Sequence, residues 1–260
     1  MPVAIEVKSN DQSLKTRREA LARLVLEQFD GELPSLSLGA FFDDIDWWEA
    51  KRDLGPENRG FYEPIRKGTF RGPNWPPFVT EKVFGHPYWV PADPRSIDHI
   101  IYLHGTTCHD ETALVMTFSH ELQHFIQYGF TRELWFLGRL ISRLPKKIID
   151  DLALNWPDVP HEREARIRAK RVGVAVCGSA AVSAYIARRI DANVTRQDVE
   201  DWRFSQQLNE SEGYDLNLAT RQIYHRLKPY AWEFRRLFQE AQQEDIDLDL
   251  QRIDLSAYFA

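Results

Sequence analysis

The chain is poor in the features that would place it in a specialised class. Its 260 residues include only two cysteines, Cys108 and Cys177, which cannot build a disulfide scaffold and suit a reducing compartment. No apolar run approaches the ~18 residues of a membrane-spanning helix. Met1-Pro2-Val3-Ala4-Ile5-Glu6 lacks the charged start and apolar stretch of a secretory signal. The expectation is a cytoplasmic protein without a membrane partner, signal-less export being the other route such a start allows. A formal charge of -6 and a pI near 5.8 leave no basic excess for holding nucleic acid. There is no internal repeat and no low-complexity tract. With 43% hydrophobic and 28% charged residues, composition excludes wholesale disorder and says nothing about chemistry.

Aromatics, by contrast, are plentiful, at 12% with eight tryptophans. Twelve of the thirty-two aromatics fall between residues 34 and 96, among them Phe41, Phe42, Trp47, Trp48, Trp75 and Trp89. Prolines 56, 64, 73, 76, 77, 87, 91 and 94 lie in the same stretch. Disordered linkers are poor in aromatics, so this segment is expected to fold against the body as long loops and short strands. It is a candidate wall for a substrate cleft, with ordinary core packing as the alternative. Strands are expected at 78–84, 88–90 and 97–103.

Upstream, Asp11 is placed to cap a helix whose apolar positions are Leu14, Leu21, Leu24, Val25 and Phe29, ending near Gly31. From Asp110 onward the apolar period is helical. Helices are expected at 111–128, 131–143, 146–154, 159–177, 178–190, 196–208 and 215–243, with breaks at Gly129, Pro145, Pro157 and Pro160. The whole chain, 1–260, reads as one α+β domain: a small sheet, an active-site helix, and a mostly helical half over 110–260.

The chemistry-bearing segment is Thr117-Phe118-Ser119-His120-Glu121-Leu122-Gln123-His124-Phe125-Ile126. It holds H-E-x-x-H. Four residues on a helix return to nearly the same face, so His120 and His124 can reach one zinc ion (Zn2+). Glu121 then projects beside the metal, where it can take a proton from bound water. At about 100° per residue, Ala113, Thr117, His120, His124 and Tyr128 fall on one side of the helix. Leu114, Val115, Phe118, Leu122, Phe125 and Ile126 fall on the other. Histidines opposite an apolar stripe are poor candidates for core packing, which leaves a metal site or a solvated His/Glu face.

These residues resemble the active-site helix of the zincin metallopeptidases. The resemblance implies zinc ligation by His120 and His124, Glu121 as general base, and a zincin-like α+β fold. The metzincin extension is missing, because Gln127 and Phe130 stand where glycine and histidine are required. That leaves a gluzincin-like arrangement, with a third ligand from a glutamate on a later helix that small residues bring close. Asp158-Val159-Pro160-His161-Glu162-Arg163-Glu164-Ala165 resembles the E-x-x-A element of gluzincins. Glu162 and Glu164 compete for the role. Glu162 shares a stripe with Ala165, Ala169, Val172 and Val176, at the edge of the buried face. Glu164 lies about 200° away beside Arg168 and Arg171, where an exposed i,i+4 ion pair is the ordinary role. Glu162 is therefore preferred. Arg166 occupies the position where gluzincins often carry an acidic residue.

Other polar residues have simpler readings. His161, next to Pro160 at a helix start, is expected in solvent. The segment from His104 to Asp110 carries ligand-type residues without a paired spacing, and Asp110 is a plausible helix cap. His86 and His99 read as structural. An oxyanion-stabilising group is required by the zincin resemblance, and Tyr128, Tyr214, Tyr224, His225 and Tyr230 are the candidates. The 97–103 strand precedes the motif helix, as the zincin edge strand does, or is an ordinary buried strand. Arg163, Arg166 and Lys170 are expected to form a solvated face, and Asp245, Asp247, Asp249 and Asp254 an acidic tail. The resulting expectation is a zinc metallopeptidase acting on a peptide or protein substrate. A zincin-fold amidase or deacylase of small molecules, or a non-catalytic interaction protein on a zincin-like body, are the alternatives.

Overall fold

Neighbouring parallel strands need a crossover between them, and the first 43 residues supply one. In the structure, a computed structural model, the described residues are 3–43, 60–64, 78–83, 86–89, 99–103, 105–192, 196–209 and 213–244. Strand β1 (Ala4–Lys8) leads through helix α1 (Gln12–Glu27) into β2 (Leu38–Asp43), which lies parallel to β1 with Ala4 opposite Gly39. Asp11 caps α1 as expected, its carboxylate accepting from the backbone N–H of Ser13 and Leu14. Leu21, Ala22 and Val25 bury one face of the helix, with Phe29 just beyond it. Leu14 and Leu24, expected to join them, are each 42% exposed. Arg18 takes the buried position at that end instead, donating from Nε to the Cys108 carbonyl at 3.0 Å.

Strand β3 (Gly60–Pro64) and strand β6 (His99–Leu103) complete a four-stranded sheet of order β1-β2-β6-β3. Three strands run parallel and β3 is antiparallel to β6. Between them, β4 (Phe78–Val83) and β5 (His86–Trp89) form a separate two-stranded sheet. An edge position for the 97–103 strand is not what is found. Strand β6 is interior, and all five of its residues are buried, as His-Ile-Ile-Tyr-Leu suits a strand covered on both faces. β3 flanks it, a strand the sequence reading missed. Gly60 lets it come close: a Cβ there would lie 2.8 Å from the Tyr102 carbonyl oxygen and 3.2 Å from Thr117 Cγ2.

The helical half comprises α2 (Gly105–Cys108), α3 (Glu111–Phe130), α4 (Arg132–Ile141), α5 (Lys146–Asp151), α6 (Pro160–Cys177), α7 (Ser179–Asp191), α8 (Arg196–Gln207), α9 (Leu216–Leu227) and α10 (Ala231–Glu244). The single helix expected over 215–243 is divided by a 3-10 turn at Lys228–Tyr230, because Pro229 removes a backbone donor. Gly129 does not break α3. It makes room for Pro34, whose ring a Cβ at that position would strike.

Helix α3 runs through the middle of the molecule and is buried around nearly its whole circumference. The sheet and α1 cover one side, with Phe42 edge-on to Phe118 at 5.1 Å. Helix α6 covers the other. Ala165, Ala169 and Gly173, four residues apart, keep the α6 surface low; a Cβ on Gly173 would come within 2.9 Å of Met116 Cγ. Among the described residues, no helix is long and apolar enough to cross a membrane. Trp47, Trp48, Trp75, His104 and the four acidic residues Asp245, Asp247, Asp249 and Asp254 lie outside the described residues. So does most of the aromatic segment.

Candidate metal centre

Two helix starts position the site. Asp110 caps α3 by accepting from the Ala113 N–H at 3.0 Å, and its second oxygen receives Arg188 of α7 at 2.6 Å. Helix α6 opens on Pro160, a favoured first residue, and carries Glu162 in its first turn, where the helix dipole favours a carboxylate. The crossing of α3 and α6 brings His120, His124 and Glu162 together. His120 Nε2 lies 3.0 Å from His124 Nε2 and 3.4 Å from Glu162 Oε2. His124 Nε2 lies 3.3 Å from Glu162 Oε1. Donors held tetrahedrally at the ~2.0–2.1 Å typical of zinc are separated by about 1.63 times that length, or about 3.3 Å. The triangle of two imidazole nitrogens and one carboxylate thus has the size and chemistry of a zinc site. Among the described residues it is the one group of three ligand-type side chains this close.

The histidines do lie opposite the apolar stripe, but their face of α3 is not solvated, because α6 covers it. His124 and Glu162 are buried, while the His120 side chain is 19% exposed, so approach is from its side. Burial opposes charge on His124, yet the Glu162 carboxylate outweighs it and lifts the pKa to about 9. Burial would raise Glu162 in turn, but the two imidazoles hold it well below the usual carboxylate range. Glu121 is buried beside them. Desolvation raises its pKa, partly offset by His120 and His124, and the Tyr62 backbone N–H of β3 donates to it.

Several neighbours differ from expectation. Glu164 forms no exposed pair with Arg168. It turns toward α3, where its Oε2 accepts from Gln123 Nε2 at 3.1 Å and from Gln127 Nε2 at 2.7 Å. Arg168 points instead at α1, donating to the Gln28 carbonyl and to Glu32, with its guanidinium over Phe29. His161 is buried rather than solvated, its Nε2 3.5 Å from Glu162 Oε1, and desolvation drives its pKa down to about 3. Its ring lies against Gly138 of α4, where a Cβ would overlap it. Gly138→Ala is therefore expected to cost about 1–3 kcal/mol, read as a lower urea midpoint with unchanged slope. An unshifted midpoint would show that the ring has room to move. Nor is the Arg163, Arg166 and Lys170 face solvated, since it receives α8. Arg163 lies over Phe204, Arg166 pairs with Asp201, and Lys170 donates to the Gln206 carbonyl.

The oxyanion candidates disperse. Tyr128 is buried among His99, Tyr62 and Trp135, with Arg132 donating to its hydroxyl. His99 is structural, as expected, its Nδ1 2.9 Å from the Tyr62 hydroxyl. Tyr214 packs beside Arg163, and burial pushes its hydroxyl up to about 12. Tyr230 donates to Asp151, and His225 is exposed. Tyr224 lines a small cavity with His161, Gly138 and Thr220. Gln123, Gln127 and the Tyr62 main chain are the site residues that sequence reasoning missed. The two glutamines left the same trace, each an amide three residues beyond a ligand-type histidine on one helix.

No protein-family model matches the chain, no curated protein matches its sequence, and no solved structure matches its fold.

Proposed function

We propose that the protein is a zinc-dependent hydrolase with a zincin-like site, most simply a metallopeptidase cleaving a peptide or amide bond. The observation that carries this reading is the donor triangle. His120, His124 and Glu162 stand 3.0–3.4 Å apart, with the Glu121 carboxyl on the same helix beside them. In this reading His120, His124 and Glu162 hold the metal. Zinc bound there supplies a Lewis acid and an acidified water. Glu121 acts as general base. Its burial and raised pKa suit a group that takes a proton from water near neutral pH and returns it to the leaving nitrogen. The Tyr62 N–H, donated from β3, helps to hold that carboxyl in place.

The test is metal content followed by hydrolysis. The protein purified without chelator is expected to carry about one equivalent of zinc, lost in His120→Ala. Less than about a tenth of an equivalent, unchanged by that substitution, overturns the reading. Cleavage of a mixed peptide library then supports the peptidase, whereas turnover of small N-acyl compounds alone favours the amidase.

A further inference from the structure

We infer that Gln127 is a positioning residue which, buttressed by Glu164, sets the tautomer of His124 and so directs its Nε2 toward a metal. The inference rests on the zinc reading above but concerns a different part of the chain. The Gln127 side chain is fully enclosed, at 1% exposure, one turn beyond His124. Its Nε2 has two N–H groups, and both are taken. One goes to the His161 main-chain carbonyl at 2.9 Å and one to Glu164 Oε2 at 2.7 Å.

The direction of the whole chain follows from the first of these bonds. A main-chain carbonyl can only accept, so the amide end facing His161 must be the nitrogen. The other end is then the oxygen, and it lies 2.9 Å from His124 Nδ1. A carbonyl oxygen cannot donate, so His124 Nδ1 must carry the hydrogen. In the neutral imidazole the lone pair is thereby forced onto Nε2, the atom 3.0 Å from His120 Nε2 and 3.3 Å from Glu162 Oε1. An amide held at only one point could rotate and offer its N–H groups to His124, which would favour the wrong tautomer. Here it cannot, because reversal would set its oxygen against a carbonyl and a carboxylate.

Glu164 is itself held from a second side by Gln123 Nε2. Two glutamines one turn apart on α3 thus grip one carboxylate on α6. This gives the acidic pair 162 and 164 two distinct uses: Glu162 faces the imidazole nitrogens, and Glu164 anchors the amide behind one of them. It also accounts for Arg166 at the position where the resemblance called for an acidic residue. The support for the histidine comes from two residues earlier on α6, relayed by an amide.

The experiment measures zinc affinity of the metal-free protein by competition with a chromophoric chelator, without reference to activity. Gln127→Met keeps the length of the side chain and removes its acceptor and donors. It is expected to weaken zinc by about 10–100-fold. In zinc-loaded parent protein, one slowly exchanging imidazole Nδ1–H assigned to His124 should appear in nitrogen-proton spectra and exchange rapidly in Gln127→Met. Glu164→Gln retains an accepting oxygen and should stay close to the parent, whereas Glu164→Met should fall with Gln127→Met. This pair also decides the matter should Gln127→Met fail to fold. If the parent binds zinc and both methionine variants match it with the Nδ1–H signal intact, the positioning role is overturned and the zinc site stands. If the parent binds no zinc, the zinc reading itself fails.

Discussion

Glu121→Gln is expected to keep its zinc and lose hydrolysis by about 10²–10⁴-fold, the usual contribution of a positioned general base. The substitution keeps side-chain volume and the carbonyl-type acceptor that receives the Tyr62 N–H, so folding should be spared. It removes only the capacity to take a proton. His120, His124 and Glu162 are untouched, and their 3.0–3.4 Å triangle does not depend on Glu121. Unfolding should even be slightly harder, because a carboxyl whose ionisation is opposed by burial is replaced by a neutral amide. The comparison requires kcat and bound zinc on the same preparation. Full zinc with activity within threefold of the parent would remove Glu121 from the chemistry. Full zinc with a partner-binding function intact and no hydrolysis in the parent would favour the interaction-protein alternative.

The second large effect is on the metal-free protein, whose stability should fall on the alkaline side of pH 6.5, while on the acid side His161 is opposed by the raised carboxyls of Glu6 and Glu121. The alkaline side belongs to His124. Its pKa is raised from 6.5 to about 9, so its contribution is fully present below 6.5 and is lost as pH rises through 9. That loss is on the order of 3 kcal/mol. On the acid side His161, whose pKa is lowered from 6.5 to about 3, drains stability below 6.5 as the unfolded chain takes up its proton, while Glu6 and Glu121, raised by burial, return part of it. Glu162 joins His161 at lower pH, since a depressed carboxyl loses its contribution as pH falls through its folded value. Zinc takes the place of the His124 proton, so the stabilisation it confers should grow from pH 6 to pH 9. Glu162→Gln removes the charge that lifts His124. The alkaline fall should flatten, and zinc affinity should drop by more than the ~10–100-fold typical of an outer hydrogen-bond partner. Chemical unfolding across pH 5–9, with and without zinc, checks both. An alkaline fall of equal size in Glu162→Gln would mean that another group carries it.

The motif helix was readable because its chemistry is local: four residues set the separation of His120 and His124 whatever the rest of the chain does. That Glu162 rather than Glu164 faces the two histidines was also readable, since the helical stripe through Ala165 and Ala169 separates the two glutamates by a wide angle. What surrounds them was not. Glu164 was read as pairing with Arg168 because both lie on α6 at i,i+4, and no local rule shows that two glutamines on α3 compete for that carboxylate. His161 and the Arg163–Lys170 face were read as solvated because α4 and α8, which cover them, are brought there by tertiary packing. Strands β1, β2 and β3 are short, and their pairing joins residues 4, 39, 60 and 103. Periodicity within a window of a dozen residues does not register such partners.

Between His124 and Glu162 the chain leaves α3, forms α4 and α5, and comes back as α6. In polymer language, a metal shared by those two residues closes a ring on the order of 40 residues. The entropy of such a closure grows only with the logarithm of its length. A covalent link across the same gap would restrict the unfolded chain by about 4 kcal/mol. A zinc ion there would serve as a reversible clasp of the same kind. Helices α4 and α5 could then separate from the body only with the clasp strained or undone, so their opening and the occupancy of the centre become one equilibrium.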